Sequence, residues 1–237
     1  MAIHAKNAVI FIKQYKLAGD SNRMAFTYAV DTVEVTGFEA KAKEYVEGKY
    51  AWSASMEGYW NAGTNRIDPV IHNLIGRGTH VIGIFPEGTA PNKVGYDGAG
   101  YLTSFNPEAT IGGAVVFSAD VQGEADLYRS TILDAGDKTV GTVTSTARNL
   151  GTAGLNRGIT SILRALSGNG TCNIAIQAST AEAGTYGNIF SFAQITGAAI
   201  ELKNVATAAV GPWFRSQCVI PSGGDTFNLT ISCATEE

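Results

Sequence analysis

The residue types that most often perform chemistry in proteins are few in this chain and widely spaced. No two of its histidines stand at a helical spacing from one another; they are His4, His72 and His80. A catalytic triad or a zinc site needs three or four such groups brought together, often with a recognisable local spacing. These histidines therefore predict solvated or capping side chains, and we expect no metal site and no histidine-based catalysis.

The cysteines lie in the last third of the chain, are odd in number and have no C-x-x-C spacing; they are Cys172, Cys218 and Cys233. This pattern indicates neither a disulfide framework nor zinc ligation. Cys233 follows Phe227, Leu229 and Ile231 at a period of two, which is typical of the buried face of a strand. We predict that all three cysteines are small buried hydrophobic residues.

The short motifs of common enzyme classes do not occur. The sequence has no G-x-S-x-G elbow, no G-x-x-x-x-G-K-[ST] phosphate loop and no H-E-x-x-H helix. The glycine-rich residues 95–100, GYDGAG, are followed by a strand-like segment at residues 101–105 rather than by the helix that a phosphate-binding loop opens. We interpret them as a flexible surface loop, and the sequence predicts a protein that is not an enzyme and has no cofactor.

Composition indicates a soluble folded chain. Its 237 residues are 45% hydrophobic and only 16% charged, which excludes intrinsic disorder and suits one large core or two modest ones. The formal net charge of −4 provides no basic field for tight nucleic-acid binding. No apolar run approaches the roughly 20 residues of a membrane span. Residues 1–7 lack the features of a secretory signal, so we expect a protein made and folded in the cytoplasm.

Alternating apolar residues, abundant Thr and Val, and 28 glycines predict a mainly β protein. The first clear strand puts Trp52, Met56 and Trp60 on one parity and polar residues such as Glu57 on the other. A second places Asp120 on its polar parity. The predicted strands are residues 25–35, 52–60, 80–85, 115–122, 127–133, 159–166, 172–178, 200–205, 213–220 and 226–233.

One short helix is predicted after residue 68. Asp68 is a suitable N-cap, and Pro69 at the first helical position loses no hydrogen bond there. The helix is amphipathic, and its apolar stripe should pack against a sheet; the stripe consists of Val70, Ile71, Leu74 and Ile75. Gly76 or Gly78 is suited to end the helix.

Charge density changes sharply near Gly151. Residues 1–149 carry 13 basic and 16 acidic side chains, whereas residues 150–237 carry 4 basic and 5 acidic ones. The segment between residues 141 and 157 is rich in Gly, Thr, Ser and Asn, as connections are. We predict two domains, residues 1–150 and residues 151–237, the second β-rich.

One ordered series of short motifs resembles the major tail tube proteins of long, non-contractile-tailed (siphovirus-type) bacteriophages. Its motif residues are Asp31, Thr32, Gly48, Glu57, Gly58 and Trp60, within the runs DTVEVTGF (residues 31–38), KEYVEG (43–48) and SASMEGYW (53–60), and the resemblance lies in the order and spacing of these runs. The resemblance continues through residues 68–70 and 101–122, and more weakly into residues 168–178 and 190–218. It covers residues 1–135 well and the rest moderately.

The resemblance implies a tail-tube fold, in which two near-orthogonal β-sheets pack beside one short α-helix. The extra C-terminal segment would be β-sandwich-like and lie outside the tube. Subunits of that family form rings, implying a homohexamer here, with a trimer of a duplicated fold as the alternative. The loop at residues 36–49 would contact the adjacent ring through Glu39, Lys41, Lys43, Glu44, Tyr45 and Glu47. Glu57 and Asp120 are candidates for the lumen or an interface.

The same resemblance implies a place in the virion, with assembly in the host cytoplasm. Stacked rings would form a conduit for DNA ejection, through which DNA passes without specific binding. The implied partners are further copies of the chain, a tape-measure protein, a tail terminator and tail-tip proteins.

Two other readings remain open at this point. A capsid decoration or adaptor protein would share the β-rich composition and the lack of catalytic motifs. A carbohydrate-binding β-sandwich is indicated by aromatic residues that are able to stack on sugars, namely Trp52, Tyr59, Trp60 and Trp213. The shared parity of Trp52 and Trp60 with Met56 favours a core position for both tryptophans instead.

Overall fold

The computed structural model describes residues 7–36, 42–151, 156–209 and 211–235. Within these ranges the chain is mainly β, with fifteen strands and one short helix. The strands form two antiparallel sheets. The predicted fold class, a mainly β protein with one short helix, is confirmed.

The elements follow one another with short connections. In chain order they are β1 (Val9–Ile12), β2 (Tyr15–Lys16), β3 (Ser21–Glu34), β4 (Tyr45–Tyr59), α1 (Ile67–Leu74), β5 (His80–Phe85), β6 (Val94–Glu108), β7 (Val116–Thr139), β8 (Gly141–Thr144), β9 (Arg148–Asn149), β10 (Asn156–Asn169), β11 (Asn173–Ser179), β12 (Gly187–Ser191), β13 (Ala199–Ala209), β14 (Trp213–Ile220) and β15 (Thr226–Thr235).

The chain forms two compact units, each assembled from segments that are separate in sequence. The first contains Met1–Ala18, Gly83–Asp97 and Tyr128–Glu237, and the second contains Gly19–Ile82 and Gly98–Leu127. Strands β5, β6 and β7 have one end in each unit. Segments on both sides of Gly151 belong to the first unit, and the division into domains at residues 1–150 and 151–237 stays a prediction.

The first unit is a β-sandwich. Its larger sheet has the strand order β13-β10-β15-β7-β6-β5-β1-β2, and its smaller sheet has the order β12-β11-β14-β8, with β9 also paired to β14. Alternate residues of both sheets meet in one core, because successive side chains of a strand point to opposite faces. The larger sheet contributes Leu133, Ile159, Leu163, Phe227, Leu229 and Ile231, and the smaller contributes Ile174, Ile176, Phe214, Cys218 and Ile220.

The second unit is built around the long hairpin of β3 and β4. Residues 53–59 of β4 pair with residues 116–122 of β7, so β4 lies between β3 and β7 there. Trp52 is only 3% exposed. Its ring lies so close to Gly98, Gly100 and Gly123 that a side chain at any of these positions would collide with its surroundings.

The helix starts differently from the prediction. Arg66, not Asp68, is the N-cap residue, and it makes no capping hydrogen bond through its side chain. The buried carboxylate of Asp20 replaces the cap, since its Oδ2 accepts a hydrogen bond from the Ile67 backbone N–H at 3.2 Å. Asp68 instead accepts a hydrogen bond from the Trp60 indole. This capping contact was not predictable from the local sequence, because Asp20 is 47 residues before Ile67.

The glycine-rich residues 95–100 are not a flexible loop, and that prediction is wrong. They lie inside strand β6, where Asp97 is buried. Gly95 lies against the Phe85 ring, so its missing side chain permits two strands to pack closely. Two further differences concern lengths: β7 is one strand where two were predicted, and the supposed connection after residue 141 contains β8 and β9.

Candidate functional site

The β3–β4 hairpin extends beyond the rest of its sheet. Strand β7 pairs with β4 only over residues 53–59. Further out, residues 29–34 and 45–51 pair only with each other among the residues that the structure describes. We call this two-stranded segment the outer ribbon. All seven residues of its β4 side are exposed, so no part of the chain that the structure describes forms a covering layer on either face of the ribbon.

One face of the outer ribbon carries tyrosines. Tyr28, just before the ribbon, stacks on Tyr50 with a distance of 5.7 Å between ring centroids and an angle of 15° between the rings. The Tyr50 hydroxyl donates a hydrogen bond to Glu47 Oε1 at 2.7 Å. This bond raises the pKa of Tyr50, because ionisation would place two negative charges side by side. The hydroxyl therefore stays a donor at neutral pH.

The opposite face of the outer ribbon is apolar. Val33 and Val46 are direct partners across the two strands, and they are 60% and 54% exposed. Val35, two residues beyond Val33, is also exposed. The backbone N–H of Val35 donates to Glu44 O at 2.9 Å, which continues the pairing past the end of β3. Three exposed valines thus lie near the end of the hairpin.

The loop predicted at residues 36–49 is shorter in the structure. Tyr45 and Glu47 lie in β4, so residues 45–49 form strand rather than loop. Lys43 forms an ion pair with Glu34 at 2.8 Å, and the Glu44 backbone N–H donates to Thr36 Oγ1 at 3.0 Å. Glu39 and Lys41 lie outside the described residues. The role of the six predicted ring-contact residues stays a prediction.

Three motif residues meet at a β-bulge in the hairpin. The register shifts between Val30 and Thr32, where Asp31 faces the Gly48 region of β4. A Cβ atom added to Gly48 would come within 2.9 Å of the Asp31 carbonyl oxygen. Glycine is therefore required for the two backbones to approach here, and the bulge increases the local twist of the ribbon.

Glu57 and Asp120 lie on one exposed face, which we call the polar face. Asp120 pairs directly with Ser55, two residues from Glu57, so their side chains point to the same side. Most other residues of this face are small or polar: Ala25, Thr27, Ser53, Ser55, Ser118 and Gln122. The structure thus brings the two predicted lumen or interface residues together, although nothing tests that role.

The charges of the polar face are only partly neutralised. Glu57 forms an ion pair with Arg23 at 2.9 Å. Asp120 has no cationic partner among the ion pairs of the described residues, and its Oδ2 accepts a hydrogen bond from Ser104 Oγ at 2.6 Å. Asp120 therefore carries the unpaired negative charge of this pair.

The remaining motif residues have structural contacts. Gly58 lies against the backbone of Asp20, where no side chain would fit. Trp60 donates from its indole Nε1 to Asp68 Oδ1 at 3.1 Å, and its backbone N–H donates to Val115 O at 3.0 Å. These contacts join the end of β4 to the start of α1 and to the residue before β7. They explain the residue types without assigning a function.

The described residues offer little for catalysis or metal binding. They contain no group of three or more His, Cys, Asp or Glu placed to hold a metal ion. Across the same ranges, every helix is too short or too polar to cross a bilayer. Trp52 is buried, so it does not offer the open ring face that stacking on a sugar requires, whereas Trp60 is 38% exposed and donates its indole N–H to Asp68.

Sequence reasoning missed the most conspicuous part of this surface. The exposed residues Tyr50, Val33 and Val46 are apolar or aromatic and lie on the two faces of the outer ribbon, and the exposed Tyr28 lies just before it. A signal was present, because the segment from residue 28 to residue 35 has apolar residues on both parities. That pattern indicates a strand with two apolar faces, but it does not reveal that both faces are uncovered.

Comparisons with known proteins give partial likenesses. No protein-family model and no curated protein sequence matches the chain. A chain from the virion of a native gene transfer agent particle is similar over 54% of this chain and 98% of its own, with 15% identity and a TM-score of 0.46. A chain from the tail of an empty gene transfer agent particle is similar over 54% of this chain and 98% of its own, with 15% identity and a TM-score of 0.45.

The crystal structure of SPP1 Dit, described as a paradigm of the hub adsorption apparatus in phages that infect Gram-positive bacteria, is similar over more of the chain. It covers 97% of this chain and 98% of its own, with 9% identity and a TM-score of 0.38. With TM-scores below 0.5, these likenesses do not bear on the function of the chain.

Proposed function

We propose that the chain is a structural protein of a phage tail, and that copies of it assemble into rings that stack into the tail tube. The observation that carries this proposal is the outer ribbon, a two-stranded segment exposed on both faces. The motif series at residues 31–60, which resembles tail tube proteins, includes both strands of that ribbon. The site and the resemblance therefore concern the same part of the molecule.

An isolated two-stranded ribbon is unfavourable in free energy. Two strands without a third strand or a covering layer are at best marginally stable in water. Val33, Val35 and Val46 expose apolar surface, and the free edges of the ribbon leave backbone N–H and C=O groups open to pairing. A neighbouring copy that covers the ribbon removes both costs. Symmetric rings supply such a neighbour for every subunit.

The polar face suits the wall of a DNA conduit in this assembly. Its side chains are small or polar, and its charge is neutral to negative because only Glu57 of the two acids is paired. Such a wall avoids the multiple Lys and Arg contacts that bind phosphates tightly. The proposal places Glu57 and Asp120 toward the lumen, and it places Lys43, Glu44, Tyr45 and Glu47, with Glu39 and Lys41, at the contact between rings.

The remaining expectations follow from this role. We propose hexameric rings, with the C-terminal β-rich segment outside the tube. The protein would act in the virion after assembly in the host cytoplasm, with a tape-measure protein, a tail terminator and tail-tip proteins as partners. DNA would pass through the tube without specific binding.

Electron microscopy and light scattering on the purified full-length chain test the proposal. We expect rings or hollow tubes and a mass that corresponds to six copies per ring. The Val33→Lys/Val46→Lys double variant places two charges on the apolar face of the ribbon and should remain monomeric. Val140→Lys is the matched control, because Val140 is an exposed valine of the first unit, and it should assemble like the wild type.

Two results would contradict the proposal. A wild-type chain that stays monomeric at all concentrations would exclude self-assembly through the ribbon. Assembly that is unchanged in the double variant, with circular dichroism showing an intact fold, would remove the ribbon from the interface. Closed rings that never stack would instead favour an adaptor protein of the virion over a tube protein.

A further inference from the structure

Two of the three cysteines touch inside the β-sandwich of the first unit. The Sγ atoms of Cys172 and Cys218 are 2.9 Å apart, and both residues are completely buried. They are 46 residues apart in sequence, so the fold alone brings them together. Both are free thiols in this structure. The sequence predicted that all three cysteines are buried, and they are, but it did not predict the contact between these two.

The pairing of two strands accounts for the contact. Strand β11 pairs with β14 in the register that puts Ile174 opposite Cys218. Cys172 lies two residues before Ile174, so it is on the same face as Cys218 and diagonal to it. The Cys172 backbone is fixed by two hydrogen bonds with Ile195, of 2.9 and 3.1 Å. Both thiols therefore point into the same core and are held there by backbone pairing.

We propose that Cys172 and Cys218 form an oxidation site, at which a small peroxide converts the thiol pair into an intrachain disulfide. A disulfide needs two sulfur atoms on facing β-carbons with limited separation of the backbones. The two sulfur atoms are already 2.9 Å apart, so an S–S bond of about 2.05 Å requires them to approach by about 0.9 Å. The proposal concerns the first unit alone and does not depend on the proposed assembly.

The two thiols have unequal roles in the reaction. The pKa of Cys218 is lowered, chiefly because the Cys172 thiol donates a hydrogen bond to the Cys218 thiolate. The pKa of Cys172 is raised, chiefly by the same hydrogen bond and further by burial. In the proposed reaction Cys218 acts as the nucleophile, since the thiolate is the reactive form, and Cys172 acts as the resolving thiol.

The chemistry balances with hydrogen peroxide as the oxidant. The Cys218 thiolate attacks one peroxide oxygen and breaks the O–O bond, which gives a sulfenic acid and, after proton transfer, one water. The Cys172 sulfur then attacks the sulfenic sulfur, its proton and the hydroxyl leave as a second water, and the S–S bond forms. In total, two thiols lose two electrons and two protons to one peroxide.

The third cysteine is an internal control. Cys233 lies in β15, in the same core, and burial raises its pKa to about 12. The Cys233 thiol donates a weak hydrogen bond to the Ala234 carbonyl, at 3.9 Å. A buried thiol without a sulfur partner has no route to an intrachain disulfide. Cys233 should therefore remain reduced under conditions that oxidise the other two.

Thiol counting on the full-length protein tests the proposal. Reduced protein is treated with hydrogen peroxide in the folded state, then unfolded in the presence of iodoacetamide and weighed by mass spectrometry. We expect alkylation of all three cysteines before oxidation and of one afterwards, with recovery of three after treatment with dithiothreitol. The oxidised form should melt about 5 to 10 °C higher, because the bond closes a long loop.

Cysteine variants identify which two cysteines form the disulfide. Trypsin cleaves after Arg164, Lys203 and Arg215, which leaves Cys218 and Cys233 in one peptide, so Cys233→Ser makes the cross-link unambiguous. This variant should give a Cys172–Cys218 cross-linked peptide, and Cys172→Ser and Cys218→Ser should each give no intrachain cross-linked peptide after peroxide. The proposal is overturned if oxidised wild type retains three alkylatable cysteines, or if the cross-link joins Cys233 or two different chains.

Discussion

The guanidinium of Arg164 and the carboxylate of Asp97 form an enclosed ion pair in the first unit. Arg164 Nη2 donates to Asp97 Oδ1 at 2.5 Å, and the two side chains are 0% and 1% exposed. Ser130 and Ser232 donate to the other carboxylate oxygen at 2.5 and 2.7 Å. The guanidinium also lies near the rings of Phe11 and Phe85. In the folded protein, hydrogen bonds from Ser130 and Ser232 and contacts with the two rings thus replace the water around this ion pair.

Removing one member of this pair should be far more harmful than removing both. Asp97→Asn leaves the Arg164 charge buried without a counter-charge, and we expect a loss of about 3–5 kcal/mol in the free energy of unfolding. The Asp97→Leu/Arg164→Met double variant leaves no buried charge and should lose less. Urea unfolding followed by fluorescence measures all three proteins. A loss below about 1 kcal/mol for Asp97→Asn would contradict this account.

The close packing of Gly123 on Trp52 makes a second prediction. A side chain at position 123 would overlap the Trp52 indole, which is buried. We expect Gly123→Ala to cost about 1–3 kcal/mol, the usual range for overpacking a core. Gly187→Ala is the control, because a Cβ there meets nothing within 4 Å. Equal unfolding midpoints for the two variants would show that the indole moves aside freely.

Glu124 should show a depressed pKa. Hydrogen bonds from the Thr79 hydroxyl, first, and from the Tyr101 hydroxyl lower it from the usual 4.5, because both stabilise the carboxylate. A group whose pKa is lower when folded adds stability above its unfolded pKa, and this stability is lost as the pH falls through the folded pKa. NMR titration of the side-chain carboxyl carbons should give a Glu124 pKa below 4.5 in the wild type and a pKa closer to 4.5 in Tyr101→Phe. Identical titration curves would exclude the Tyr101 contribution.

Local alternation was enough to predict most strands. Trp213–Ile220 forms β14 with the bounds that the sequence indicates, and its burial alternates residue by residue. The Ile67–Leu74 helix was also recognisable from its apolar stripe. Periodicity succeeds in these cases because the pattern of one element reports directly which side faces the core.

Features that depend on distant partners were not predictable. The glycines of residues 95–100 look like a loop until Phe85 and Trp52 are known to pack against them. The same limit applies to the candidate site, because Arg23, which neutralises Glu57, is 34 residues away in sequence. Polar parity indicated correctly that Glu57 and Asp120 are on an exposed side, but their shared face and unequal charge arise from strand register.

This unequal charge makes Asp120 the residue with which to test the proposed conduit. If the polar face lines the tube, Asp120→Lys repeats a positive charge around every ring and adds phosphate contacts for passing DNA. We expect virions built with this variant to assemble normally and to eject DNA several-fold more slowly. The delay should shrink as the salt concentration rises, since phosphate contacts weaken with salt.

Two further variants separate local charge from general effects. Asp120→Asn removes the charge without reversing it, and its ejection rate should lie much nearer to wild type. Glu182→Lys makes the same charge reversal on an exposed residue of the first unit, and it should eject at the wild-type rate. Ejection is followed by the fluorescence of a DNA-binding dye after receptor triggering. If intact Asp120→Lys virions eject DNA at the wild-type rate, the polar face does not line the lumen. The proposed role of the outer ribbon in assembly would still stand.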